Sequence, residues 1–212
     1  MLPAANAGAF VLASLALIAI PGPSVLFVVG RSLALGRWGG VLSVLGNALG
    51  MIPAIVAVSL GVGAIVGESA LVFTIIKFAG AAYLLYLGVQ TIRHRHAKTR
   101  PVAKGAAPPS TFRLLRDGFV VGASNPKTIV FFVAVLPQFV SYNAGAIPLQ
   151  LGLLGAIFFV LALACDSIWA LTAGTARAWF ARSPRRLAGV TATGGIMMIG
   201  LGGALAITGN KA

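Results

Sequence analysis

Six apolar runs, at about 7–30, 38–66, 70–92, 117–137, 149–175 and 187–208, alternate with polar breaks along the chain. Each holds about 20 residues or more, and at 1.5 Å of rise per residue that length crosses a hydrocarbon layer of about 30 Å. The pattern predicts an all-α membrane protein of six transmembrane helices. Two of the runs are interrupted from within, the first by Pro21-Gly22-Pro23 and the fourth by Asn125-Pro126-Lys127. Proline removes a backbone donor and interrupts the hydrogen-bond ladder, so spans 1 and 4 are expected to be broken helices.

Composition supports the membrane reading. With 58% apolar residues, a mean hydropathy of +0.98 and 9% charged residues, the chain has too little polar surface for a soluble globule. Its net charge of +13 does not point to nucleic acid, because the basic residues fall between the apolar runs. Arg31 and Arg37 follow span 1, seven Lys and Arg lie between Arg93 and Arg116, and Arg177, Arg182, Arg185 and Arg186 follow span 5. By the positive-inside rule these loops are cytoplasmic, and both termini face outward. The first run lacks a basic start and a small-residue cleavage site, so a cleaved signal peptide is not expected. The single cysteine, Cys165, excludes an internal disulfide or a thiol pair.

The two halves resemble each other. Gly80 to Gly88 lines up with Gly194 to Gly202, and Pro21-Gly22-Pro23-Ser24 with Asn125-Pro126-Lys127-Thr128. Three spans per unit is an odd number, so the second copy would be inverted relative to the first. The expected organisation is a first three-helix repeat over 1–96, a basic cytoplasmic linker over 97–114 and a second repeat over 115–212. Transporters built this way place substrate near the midplane, between their broken helices.

Chemistry follows from depth. Pro21 is ten residues from Arg31, Lys127 eleven from Arg116, and Asp166 eleven from Arg177, which puts all three about 15 Å from the cytoplasmic face. A charge at the centre of a spanning helix costs about 2.5–3.5 kcal/mol on insertion scales. Lys127 and Asp166 are therefore expected to pair in a polar interior, either to fix helix register or to form a site. Ser24 and Thr128 begin half-helices whose positive ends suit a carboxylate. An amino acid fits this set, with its carboxylate on the half-helix ends or Lys127 and its ammonium on Asp166 or the freed carbonyls. Asn47, between Gly46 and Gly50, is a candidate lining residue. Lys77 is either a functional residue or an anchor that snorkels to the outer face. His94 and His96 have no Cys or carboxylate beside them, and neither a metal nor a cofactor is expected.

These residues carry a family resemblance. Ile20-Pro21-Gly22-Pro23, the stretch Lys77 to Gly88, Asn125-Pro126-Lys127 with Leu136-Pro137-Gln138-Phe139, and Asp166 with Trp169 together resemble the LysE/RhtB family of amino-acid exporters over essentially the whole chain. The resemblance implies a bacterial inner-membrane exporter of amino acids or their derivatives driven by proton antiport, with Asp166 the candidate coupling residue. It implies no enzymatic activity. A hydrolase would need a nucleophile with a base, and no span contains His. A metal-ion exporter or passive channel on the same scaffold is the remaining alternative. Glycine ridges on lipid-facing surfaces would permit a homodimer.

Overall fold

The computed structural model describes residues 2–19, 22–62, 70–93 and 109–175, with isolated positions between 189 and 207. Among the described residues there are helices and turns and no strand. Helix α1 runs Ala4–Ala19, α2 Pro23–Ala57, α3 Ala70–Arg93, α4 Thr111–Ala123, α5 Pro126–Val130 and α6 Ile147–Thr175. A wider π turn, Val58–Val62, extends α2. Another, Phe131–Val135, extends α5 and leads into a 3₁₀ turn, Leu136–Phe139. Pro137 cannot donate to the carbonyl of Val133, which accounts for the change of helix type there.

Two stretches, Ser24–Gly61 and Ile147–Ala173, are long and apolar enough to cross a membrane. Thr111–Ala123 with Pro126–Phe139 makes a third if a 44° bend at the Ser124-Asn125 break is allowed within one span. The first stretch is not a single rod. Gly36 has φ 79°, outside the helical region. A Cβ on Gly40 would stand 1.9 Å from the Ser32 hydroxyl, although eight residues of straight helix would separate them by about 12 Å. The chain therefore doubles back at Gly36, where left-handed backbone favours glycine. The expected boundary between spans 1 and 2 falls there. Large apolar side chains on the outer faces, among them Leu12, Leu60, Leu149 and Ile168, are exposed, as lipid-facing residues of a multi-pass membrane protein are.

The expected interruption of span 1 is seen at its edges. Helix α1 stops at Ala19, Gly22 is extended at φ −105° and ψ −167°, and Pro23 is the first residue of α2. Pro21 lies outside the described residues, as do the basic linker from 94 to 108 and most of the stretch from Gly194 to Gly202. In span 4, Asn125 caps the second half and Pro126 opens it. Matched by these caps, Gly22 corresponds to Asn125 and Pro23 to Pro126. That register differs by one residue from the one read in the sequence, where Pro21 was set against Asn125.

The two broken segments lie side by side and antiparallel. At one end, Asn6 at the start of α1 donates to the Phe139 carbonyl at 3.0 Å. At the other, Arg31 meets Asp117 in α4 at 2.7 Å. Midway, Asn125 donates to the Ser24 hydroxyl, so the breaks touch. Around one side of the break the core is aromatic. Phe158 packs 5.2 Å from Phe131 and 4.9 Å from Phe132, the latter edge to face, and Phe10 lies 5.8 Å from Phe131. Each such pair contributes about 0.5–1.5 kcal/mol beyond area burial.

Candidate functional site

Two prolines leave α1 with carbonyls it cannot satisfy. The carbonyl of Leu17 would normally accept from residue 21 and that of Ala19 from residue 23, and both are proline. The Leu17 carbonyl is instead met by Lys127, whose Nζ donates to it at 3.1 Å. An ammonium at the C-terminal end of a helix is also favoured by the helix dipole. The approach is close. A Cβ on Gly22 would lie 3.2 Å from that nitrogen, so Gly22 leaves the room that the lysine uses.

Asp166 is held from the opposite side. It is buried on α6, and Asn47, fully buried on the second arm of α2, donates to its Oδ2 at 3.1 Å. On another side, a glycine seam packs the arm that carries Asn47 against α4. Gly46 and Gly50 face the carbonyls of Leu115 and Phe119, while Gly118 and Gly122 face those of Ser43 and Asn47, with built Cβ positions only 2.0–2.4 Å from oxygen. Helix α4 and the second arm of α2 thus meet backbone to backbone. Gly46 and Gly50, four residues apart, are therefore close-packing positions. The partner glycines Gly118 and Gly122 show the same four-residue spacing in the sequence.

A cavity of about 20 Å³ lies at the meeting point, roughly room for one water molecule. Its polar wall is Ser24, Asn125, Lys127, Thr128 and Asp166, and its apolar wall includes Ile18, Met51, Phe158 and Ala162. Residues of both breaks, Lys127 and Asp166 therefore share one space. The Asn125 side chain accepts from the Lys127 backbone amide at 3.2 Å, which caps the half-helix.

Three expectations need correction. Lys127 and Asp166 line the cavity together, but the ion pairs within 4.0 Å among the described residues are the two at Asp117. The two attract each other across the cavity, while the lysine donates to the α1 carbonyl and the carboxylate accepts from Asn47. Asn47 does not itself line the cavity; it acts on it through Asp166. Lys77 is 2% exposed, so it does not snorkel, and its ammonium sits 5.5 Å from the Phe78 ring centroid. Leu17, the acceptor for Lys127, was not anticipated, although prolines at i+4 from Leu17 and Ala19 signal it.

The family model described as LysE type translocator matches residues 15–209, which takes in both breaks, Lys127 and Asp166. This chain belongs to the LysE family of translocators. An uncharacterized membrane protein of Vibrio cholerae is 33% identical over 198 residues, covering 93% of this chain and 95% of that protein. A homoserine/homoserine lactone efflux protein of Salmonella typhimurium is 31% identical over 198 residues, covering 93% and 94%. An uncharacterized membrane protein of Pseudomonas aeruginosa is 32% identical over 200 residues. No solved structure matches the chain.

Proposed function

We propose that this LysE-family protein exports amino acids or their derivatives across the bacterial inner membrane by alternating access, with protons moving inward in exchange. The observation that carries the reading is a cavity where two proline-broken helices, a buried lysine and a buried aspartate meet. Broken helices supply free amides and carbonyls at mid-membrane depth, which is how many secondary transporters hold zwitterionic substrates. The substrate carboxylate would take the half-helix starts near Ser24 and Thr128 or the Lys127 ammonium. The ammonium would take Asp166 or freed carbonyls. An efflux relative whose name carries homoserine and its lactone favours a substrate of this chemistry.

The larger scheme belongs to the same proposal. Six spans form two inverted repeats, 1–96 and 115–212, joined by a cytoplasmic linker over 97–114, with both termini outside and a homodimer through glycine ridges. The antiparallel course of the two broken segments, tied at both ends and at the break, supports it. Substrate ammonium and a proton compete for the Asp166 carboxylate, so outward release is coupled to proton entry.

Reconstituted protein tests this directly. Proteoliposomes with an imposed proton gradient should drive efflux of at least one member of an amino-acid panel, and Asp166→Asn should abolish the gradient dependence. Undiminished proton-driven export by that variant would remove Asp166 from the coupling role. Absence of transport across the whole panel would remove the exporter reading.

A further inference from the structure

The cavity has room for about one water molecule, and one of the protein's own charged side chains projects along it. Lys127 threads past Gly22 to the end of α1 and places a primary ammonium on the Leu17 carbonyl, with Asp166 on the same cavity wall. The helix-end carbonyl and the carboxylate are both acceptors. Together they ask for a small cation with N–H donors, which is what a substrate's ammonium would offer.

We infer that the Leu17 carbonyl, with the Asp166 carboxylate across the same cavity, forms a primary-ammonium subsite whose carbonyl Lys127 occupies, and that the substrate's ammonium displaces it. This rests on the exporter reading and names its recognition chemistry. Two ammonium groups cannot share the Leu17 oxygen at hydrogen-bond distance in so small a space. Arrival of one expels the other. Displacing Lys127 removes the tie at the broken end of α1, while Asn6 still holds the opposite end of that helix to the Phe139 carbonyl. Occupancy and the freedom of the broken end to move are thereby linked.

The subsite defines a ligand class. Compounds with an unsubstituted ammonium should enter whether the carboxyl is free, an ester or an amide. N-acylated amino acids should not, because acylation removes both the charge and the donors. The requirement is for N–H groups as well as charge, since a carbonyl acceptor at 3.1 Å leaves no room for methyl groups.

The test uses the full-length protein in detergent, titrated calorimetrically with methylammonium, and with tetramethylammonium as a cation without donors. Removing a tethered competitor that holds the subsite most of the time should tighten methylammonium binding about tenfold in Lys127→Met. Lys127→Gln keeps a neutral donor and should tighten it less. Asp166→Asn should abolish it, and tetramethylammonium should not bind. Unchanged or weaker binding in both lysine variants overturns the inference, as does equal binding of tetramethylammonium or retention in Asp166→Asn. If Lys127→Met fails to fold, Lys127→Gln decides alone by the same sign. The predicted methylammonium pattern without amino-acid export would uphold the subsite and sink the exporter reading. Amino-acid export without the pattern would do the reverse.

Discussion

Lys127 is a buried cation that does not depend on a single countercharge. Its ammonium is held at the end of α1 by a carbonyl that proline at position 21 leaves without an amide. Asp166 is similarly held by an amide, from Asn47. A hydrogen bond to a charged group contributes about 1.5–3 kcal/mol, and more is lost when a buried charge is left short of donors. Asn47→Ala should therefore destabilise the protein by about 2–3 kcal/mol, read by equilibrium unfolding in mixed micelles. An unchanged midpoint would mean that the Asn47 amide contributes nothing to holding the carboxylate.

The helices are arranged by where side chains are missing. Along the α2–α4 seam, Gly122 leaves only 2.0 Å between its built Cβ and the Asn47 carbonyl, and Gly118 leaves 2.4 Å to that of Ser43. Backbone cannot step aside as a flexible side chain can. Gly122→Val should cost more than the 1–3 kcal/mol of ordinary overpacking and show as loss of the monodisperse species on size exclusion. Gly8→Ala and Gly30→Ala, where nothing lies within 4 Å, should leave that profile unchanged. The seam was half legible: the Gly46/Gly50 spacing marks close packing, but spacing alone does not name the opposing helix.

Taken whole, the bundle is tied at one end by Arg31 and Asp117, which link the first broken segment to the second, with Arg116 at 3.2 Å from the other carboxylate oxygen. Reversing one charge should weaken the protein, and Arg31→Asp with Asp117→Arg together should recover a coupling of about 0.5–3 kcal/mol in a double-mutant cycle. Additive losses would show that the contact is incidental. The proposed topology puts this end in the cytoplasm. In a Cys165→Ala background, a membrane-impermeant thiol reagent applied to intact cells should label Asn143→Cys and spare Arg37→Cys. The opposite labelling would invert the protein in the membrane.

Hydropathy, proline position and charge count were enough to indicate an all-helical membrane protein, its two broken segments, and the depth that Lys127 and Asp166 share. These properties are local: apolar length sets a span, a missing amide breaks a helix, and loop charge sets a side. Partner choice is not local. Lys127 could have met Asp166 directly or a helix end, and the choice of the Leu17 carbonyl, like the hold of Asn47 on Asp166, is decided by which helices the packed bundle brings together. The turn at Gly36 and the one-residue shift between the two caps likewise emerge only when the helices pack, because packing rather than pattern sets the positions of both breaks relative to the cavity.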